Sequence, residues 1–306
     1  MNIFAIIVTY NAMRRSWIDH CLRSLEASSV PVTAIVVDNG STDGTRSFVP
    51  HAFPHAVWLP QERNLGFGQA NNIGLRYALE HHGDYILLLN QDATLAADAI
   101  ENMLPLCSPS TLLSPLHLNG DGTGFDASFR SCLKGSDSLL LDDLLVAKHL
   151  KASYPGPSRQ SKLVIPAACW FFSADVVRLV GGFNPLFFHY AEDENFMSRA
   201  HYHHVEMLFS PRATMCHDRE THGSKEVFLR HHTRRLLLLI ATDINNSFGR
   251  CLMQWAHTLQ TCYFSYLPQK QYTPGAWIAG MFWLLGHAVS IRKSRKKEKL
   301  TGPTWL

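Results

Sequence analysis

Four short runs of apolar, β-favouring residues follow one another in the first 90 residues, and helical patterns separate them. The runs are residues 3–8, 34–37, 57–59 and 85–89. Because they are apolar throughout rather than at alternate positions, both faces of each strand must be buried, as in parallel sheets covered by helices on both sides. The alternation of strands and helices predicts an α/β fold with a doubly wound, mostly parallel sheet.

The rest of the first 240 residues continues this pattern less evenly. Residues 17–25 and 69–82 are predicted helices, and residues 164–172 are a further predicted strand followed by a helix that Ser173 can cap. The stretch 108–162 is rich in glycine and proline. We expect it to be a variable loop region that faces an acceptor.

Composition narrows the possible functions. Of the 306 residues 46% are apolar, so a sizeable core can form, and the net charge of +3 does not indicate nucleic-acid binding. Seven cysteines at wide spacing, without a C-x-x-C pair, argue against a disulfide framework or structural zinc and favour a reducing compartment. The first ten residues lack a basic segment, and we expect no signal peptide.

Polar clusters follow three of the apolar runs. They are Thr9-Tyr10-Asn11, Asp38-Asn39 and Asn90-Gln91-Asp92. In open α/β sheets ligands bind outside the carboxyl ends of the strands, so these clusters are candidate binding residues. No glycine follows the first run, which argues against a dinucleotide-binding fold and against a nucleotidyltransferase with a Gly-rich basic loop.

Two carboxylates in these clusters suit a nucleotide diphosphate. Asp38 can accept a hydrogen bond from the N–H edge of uracil or thymine, although it can equally serve as a turn or cap residue. Asp92 can hold Mg²⁺ or Mn²⁺ against a departing diphosphate, with Asn90 adding an amide oxygen. The alternative for Asp92 is an N-cap of a helix that begins near Leu95.

Two further candidates lie later in the chain. Asp193 stands between two glutamates, and like charges raise the pKa of a carboxyl group, which suits a general base. The alternative is an acidic helix N-terminus favoured by the helix dipole. His217 follows a strand-like stretch, 205–209, and a loop, and could be another metal ligand; because the chain has 17 histidines, a structural role is the alternative.

The C-terminal region differs in character. Residues 277–291 are largely apolar but too short to span a bilayer. A basic run follows, which contains Arg292, Lys293, Arg295, Lys296, Lys297 and Lys299. The combination predicts a helix lying on an anionic membrane surface, and the alternative is a buried helix with a solvated basic tail.

In order and spacing, these segments resemble family 2 glycosyltransferases, and within them the rhamnosyltransferase-like branch. The matching segments are residues 6–11, 36–44, 64–74, 87–92, 181–184, 187–190 and 192–195, together with Arg199. The resemblance covers about residues 3–240. It implies the nucleotide-diphospho-sugar transferase (GT-A type) fold and an inverting mechanism.

The same resemblance implies roles for individual residues. The implied nucleotide-sugar-binding residues are Thr9, Tyr10, Asn11, Asp38, Asn39, Asn64, Gly68, Asn71, Asn90 and Gln91. The implied metal ligands, for Mg²⁺ or Mn²⁺, are Asp92 and His217, and the implied base is Asp193. The implied acceptor-binding residues are Trp170, which would stack on a sugar face, Glu192 and Arg199.

The sequence departs from the family pattern at two places. Asn90 stands where many relatives carry the first Asp of a D-x-D motif, which predicts weaker metal binding. Glu194 and Asn195 replace the last two positions of an E-D-x-D pattern, which puts the acceptor contacts in doubt.

We therefore predict a catalytic domain over residues 1–228, with a nucleotide-binding half (1–107) and an acceptor half (108–228), and a helical, basic, membrane-associating extension over 229–306. The predicted reaction moves a sugar, rhamnose first, from a dTDP- or UDP-linked donor to a glycan or lipid-linked glycan during surface polysaccharide synthesis. We expect a cytoplasmic protein on the inner face of the cell membrane, without a nucleic-acid partner. The alternatives are a catalytically decayed, membrane-bound carbohydrate-binding protein and a nucleotidyltransferase.

Overall fold

A computed structural model describes residues 1–132, 150–152, 166–219, 225–266 and 274–306. Its strands are β1 (Ile3–Thr9), β2 (Thr33–Asp38), β3 (Val57–Pro60), β4 (Tyr85–Leu89), β5 (Ala93–Leu95), β6 (Thr111–Asn119), β7 (Leu150–Ala152), β8 (Cys169–Ser173) and β9 (Glu206–His217). Its α-helices are α1 (Trp17–Glu26), α2 (Thr45–Ala52), α3 (Phe67–Glu80), α4 (Ala99–Met103), α5 (Ala127–Cys132), α6 (Ala174–Val180), α7 (Glu192–Tyr202), α8 (Lys225–Thr242), α9 (Phe248–Tyr266), α10 (Pro274–Gly286) and α11 (Ala288–Glu298).

The strands form one sheet in the order β3-β2-β1-β4-β8-β6-β9-β5, with β7 paired to β9. Strands β3, β2, β1 and β4 are parallel, as the apolar runs predict. Beyond β4 the sheet is mixed, because β8 lies antiparallel to both β4 and β6, while β6 and β9 are parallel. The α/β architecture expected from the sequence is confirmed.

Helices cover both faces of the sheet, and consecutive strand residues point into different cores. Ile6 belongs to one buried cluster, and its neighbour Ile7 belongs to the other. Leu88 and Leu87 divide between the same two clusters. Since successive side chains of a strand alternate between faces, a strand with two buried faces needs apolar residues at every position.

The prediction of a loop over 108–162 is wrong for its first part. Strand β6 lies there, between β8 and β9 in the middle of the sheet. Pro115 interrupts the apolar run, and the register with β9 shifts between Pro115 and Leu116. Proline is typical of bulges within sheets, so the same residue that obscured the strand marks its irregularity. Residues 133–149 and 153–162 lie outside the described residues.

The C-terminal helices pack against the rest of the molecule. Trp277, Leu284 and Ile291 are buried in a third apolar cluster with Leu237 and Leu238 of α8. The apolar segment 277–291 is divided between α10 and α11 rather than forming one helix. The final residues return to the sheet domain, where the carbonyl of Thr304 accepts a hydrogen bond from the Gly182 N–H at 2.7 Å. None of the described helices is both long and apolar enough to cross a membrane.

Candidate active site

The carboxyl ends of β1, β2 and β4 bring the first three polar clusters together. Thr9 at the end of β1 lies opposite Asp38 at the end of β2. Gln91, just after β4, joins its loop to that of β1: its Oε1 accepts the Tyr10 N–H at 2.8 Å, and its Nε2 donates to the Tyr10 carbonyl at 3.3 Å. The Tyr10 side chain remains exposed beside this junction. The predicted convergence of these clusters at one edge is therefore observed.

Several predicted nucleotide-binding amides hold the loops themselves. Asn39 Nδ2 donates to Asn64 Oδ1 at 3.1 Å, and Asn39 Oδ1 accepts the Leu65 N–H at 2.8 Å. Asn11 Oδ1 accepts the Thr42 N–H at 2.8 Å. These bonds satisfy backbone groups that would otherwise be unpaired in the loops. The amides thus fix the shape of the loops at this edge of the sheet, whichever ligand binds there.

Asp38 is completely buried, with its carboxylate 2.7 Å from Arg46 Nε and within hydrogen-bond distance of the Ser41 N–H. A buried charge of this kind needs such partners. The predicted direct contact of Asp38 with a base stays a prediction. Arg46, whose side chain is 46% exposed, is the member of the pair that reaches solvent. Sequence reasoning missed Arg46, although it follows in the first turn of the next helix.

Gly68 and Asn71 lie inside the protein rather than on the cleft surface. A Cβ atom at Gly68 would approach Phe183 Cβ to 2.8 Å, so glycine permits α3 to pack closely there. Asn71 is buried, and its Nδ2 donates to the Phe67 carbonyl at 3.0 Å. The Asn71 side chain thus turns back onto its own helix, and its role in lining the nucleotide region stays a prediction.

Asp92 and His217 meet at the end of the same sheet. Asp92 precedes β5, not a helix, so its alternative role as an N-cap is excluded. Strand β5 pairs with the end of β9, which places Ala93 opposite His217. As a result His217 Nε2 lies 3.1 Å from Asp92 Oδ1 and 3.4 Å from Asn90 Nδ2. His217 ends β9 itself instead of following a loop.

Asn90, Asp92 and His217 could bind a divalent cation whose remaining ligands come from phosphate and water. The Asp92 side chain is 19% exposed, while Asn90 Oδ1 and His217 Nδ1 are buried without a hydrogen-bond partner. No group of three or more His, Cys, Asp or Glu side chains that could hold a metal occurs among the described residues. Mg²⁺ is typically bound by one or two carboxylates together with phosphates and water rather than by a complete protein cage. The residues present fit that mode of binding.

Glu192 and Asp193 open helix α7, so the acidic helix N-terminus and the carboxylate cluster occur together. The Asp193 carboxylate accepts the N–H groups of Glu194 and Ala167, yet burial raises its pKa above the ordinary value. Burial, followed by the charge of Asp193, raises the pKa of Glu192 to about 8. A carboxylate with a raised pKa, held in place by backbone N–H groups, is equipped to accept a proton.

A two-residue segment connects this carboxylate to the loop of Asp92. Ala167 donates its N–H to Asp193, and the next residue, Ala168, accepts the Asn90 N–H at 2.9 Å through its carbonyl. Arg219 adds a second connection from the end of β9. It pairs with Asp126 at 2.9 Å. Its positive charge opposes the rise in the pKa of Asp193 that burial causes. Adjacent residues of one segment therefore contact Asp193 and the loop that carries Asp92.

Two of the three predicted acceptor residues belong to the core. Trp170 is 0% exposed in the middle of β8 and packs against Phe183 and Phe196, with ring centres 6.1 and 5.4 Å away. Arg199 is also 0% exposed, and it donates to the carbonyls of Val180 and Gly182 at 2.7 and 2.6 Å. Both side chains are fully enclosed by protein in this structure, and their predicted acceptor contacts stay predictions.

The third, Glu192, is buried at the start of α7, directly beside Asp193. Of the predicted acceptor residues it alone lies next to the carboxylate that would accept the acceptor's proton.

Comparison with known proteins identifies a glycosyltransferase with a fold of the GT-A type. Residues 4–108 match the model of "Glycosyl transferase family 2". An N-acetylglucosaminyl-diphospho-decaprenol L-rhamnosyltransferase of Mycobacterium tuberculosis is 24% identical over 248 residues, which are 75% of this chain and 80% of the relative. The low-salt glycan biosynthesis hexosyltransferase Agl10 of Haloferax volcanii is 28% identical over 171 residues, 54% of this chain and 52% of the relative.

Solved structures agree on the fold. S. aureus TarS 1-349 superposes with a TM-score of 0.56 at 16% identity, over 98% of this chain and 90% of that one. A second structure is that of the mannosyltransferase PcManGT from Pyrobaculum calidifontis in complex with GDP-Man and Mn²⁺. It superposes with a TM-score of 0.58 at 17% identity, over 97% of this chain and 84% of that one. Residues 4–108 are thus similar to family 2 glycosyltransferases, and the chain as a whole is similar to a rhamnosyltransferase.

Proposed function

We propose that this enzyme transfers a hexosyl group, rhamnose in the first instance, from a dTDP- or UDP-linked donor to a hydroxyl of a lipid-linked glycan. The proposed reaction requires Mg²⁺ or Mn²⁺ and inverts the configuration of the anomeric carbon. The observation that carries the proposal is that adjacent residues, Ala167 and Ala168, contact Asp193 and the loop of Asp92, as we expect for a base and a metal ligand that serve one bound sugar.

On the donor side, Asp92 and His217 would hold the cation, and Asn90 would orient it or its waters. A bound divalent cation would neutralise the charge that develops on the departing diphosphate. The loops fixed by Asn39 and Asn11 would form the wall against which the nucleotide lies. Their hydrogen bonds are made to other groups of the protein, so little ordering of these loops is required when the donor binds.

On the acceptor side, Asp193 would remove the proton from the attacking hydroxyl. The oxygen would then attack the anomeric carbon on the face opposite the diphosphate, so the configuration inverts and no covalent intermediate forms. General-base assistance of this kind contributes about 10²–10⁴ in rate. Glu192, protonated at neutral pH because of its raised pKa, adds no second negative charge beside the base.

The relatives support the choice of substrates. The M. tuberculosis relative is named as a rhamnosyltransferase that acts on an N-acetylglucosaminyl-diphospho-decaprenol, and the H. volcanii relative as a hexosyltransferase. A solved structure of TarS holds UDP-GlcNAc, and the structure of PcManGT holds GDP-Man together with Mn²⁺. These names favour a nucleotide-sugar donor, a divalent cation and a lipid-linked acceptor.

The surface of the C-terminal helices supports attachment to a membrane. Phe282, Leu285 and Val289 are exposed on α10 and α11, and Phe248 is exposed on α9. The basic residues of α11 follow directly. Exposed apolar side chains beside cations favour an anionic lipid surface, and we propose peripheral attachment to the inner face of the cell membrane.

A donor panel tests the proposal. The purified chain with Mn²⁺ is heated in the presence of dTDP-rhamnose, UDP-galactose, UDP-galactofuranose or UDP-glucose, and we expect dTDP-rhamnose to raise the melting temperature most. Transfer to an N-acetylglucosaminyl-diphospho-lipid, followed by NMR of the product, then reports the anomeric configuration. Retention of configuration, or formation of a nucleotide sugar from a nucleoside triphosphate, would overturn the proposed reaction. A decayed protein would show no stabilisation by any donor.

A further inference from the structure

A second pocket, of about 390 Å³, lies between residues 186–190 and the helices α8 and α10. Small-molecule sites typically start at about 300 Å³, so the pocket is large enough for part of a ligand. Its wall combines two adjacent cations, Arg234 and Arg235, with the aromatic rings of Tyr190 and Trp283. None of these residues belongs to the cluster around Asp92.

Each guanidinium is stacked on a ring. The Arg235 guanidinium carbon lies 4.4 Å from the ring centre of Tyr190, and that of Arg234 lies 5.3 Å from the ring centre of Trp283. Stacking fixes the plane of a guanidinium and leaves the N–H donors at its edge available, an arrangement suited to two-point binding of phosphate. In the described part of the chain, neither arginine forms an ion pair with a carboxylate.

The pocket adjoins the start of α7. Tyr190 and Ala191 have φ values of +67° and +68°, a left-handed conformation that is costly for residues other than glycine. This strained turn presents the exposed Tyr190 ring to the pocket and leads directly into Glu192 and Asp193 at the start of α7. Arg235 is also close enough to Glu192 for each to change the pKa of the other.

We propose that Arg234 and Arg235 bind the phosphate that links the acceptor sugar to its lipid. The sugar would extend past Tyr190 towards Asp193, and the hydrocarbon chain would leave along Trp283 and the exposed Phe282. This inference rests on the lipid-linked acceptor of the proposed function and names the part of the molecule that recognises it. The ligand class is an isoprenoid diphosphate rather than the nucleotide diphosphate of the donor.

Binding of farnesyl diphosphate to the full chain tests the site without requiring transfer. We expect R234Q and R235Q to weaken binding singly, and the double variant to weaken it by at least about tenfold because charge-assisted bonds to phosphate are lost. Farnesol, which lacks the phosphate, should bind the wild type and the double variant equally. R292Q is the charge-matched control, since Arg292 is exposed on α11 and lines a different groove. Circular dichroism of each variant checks folding.

Four results would overturn the site. They are unchanged binding of farnesyl diphosphate by the double variant, an equal loss in R292Q, an equal loss of UDP affinity, and arginine-dependent binding of phosphatidylglycerol vesicles without binding of farnesyl diphosphate. The proposed activity fails separately: if wild type binds farnesyl diphosphate through both arginines but transfers no sugar to the lipid-linked acceptor, the site stands and the reaction does not. Transfer by the double variant with an unchanged KM for that acceptor contradicts the site alone.

Discussion

His217 Nε2 lies 3.1 Å from Asp92 Oδ1 although 125 residues separate them in the chain. The contact exists because β5, which follows Asp92 immediately, pairs antiparallel with the end of β9. A three-residue strand therefore sets the geometry of the candidate metal site.

Replacing Asp92 with Ala should weaken metal-dependent donor binding. We expect the affinity for dTDP or UDP in the presence of Mn²⁺ to fall by at least about tenfold, as is typical when a metal site loses a supporting group. Titration calorimetry with and without Mn²⁺ measures the effect. D98N, at an exposed position beyond β5, should bind as wild type does. If D92A lowers affinity by the same factor without metal, Asp92 is not a ligand.

Replacing Asp193 with Asn should abolish transfer while leaving the nucleotide site intact. The amide cannot accept the acceptor proton, so we expect kcat to fall by about 10²–10⁴. The affinity for UDP or dTDP should remain within about twofold, because Asp193 acts on the acceptor side. The matched control is D175N, on the surface at the start of α6. Near-normal turnover by D193N would show that another group is the base.

Glu192 should make the protein less stable as pH rises. Since the pKa of Glu192 is raised from 4.5 to about 8 by burial, the native state keeps a proton that the unfolded chain has lost. The contribution of Glu192 to the free energy of unfolding therefore falls between these two values, by at most about 1.4 kcal/mol per pH unit. Urea unfolding at about pH 5.5 and 7.5 should show a steeper loss for wild type than for E192Q. Parallel pH dependence in both proteins would contradict the raised pKa.

Replacing Arg199 with Met should destabilise the fold without changing acceptor recognition. Arg199 and Glu298 are both fully buried, 3.7 Å apart, so the change leaves a buried carboxylate without its cation. We expect a loss of about 3–5 kcal/mol in the free energy of unfolding. R178A, which breaks an exposed pair with Asp175, should cost less than about 1 kcal/mol. An increase in the KM for the acceptor in folded R199M protein, with little loss of stability, would instead support a role of Arg199 in acceptor binding.

Local sequence patterns predicted much of the nucleotide half. The runs that became β1, β2, β3 and β4 are continuous and apolar, and the polar residues after them are adjacent in the chain to the strands that position them. The placement of Thr9, Asp38 and Asp92 at one edge follows from parallel strand direction alone. Strand β6 escaped prediction because a proline divides its apolar run.

The sequence by itself determined the first four strands, the helices between them and the edge at which the polar clusters collect. Only the tertiary structure decided which polar or aromatic residues face the cleft. Trp170 and Arg199 look like ligand-binding residues in the sequence, but Phe183, Phe196 and Glu298 enclose them. The physical reason is that burial of a side chain depends on partners from distant parts of the chain, whereas periodicity reports only its immediate neighbours.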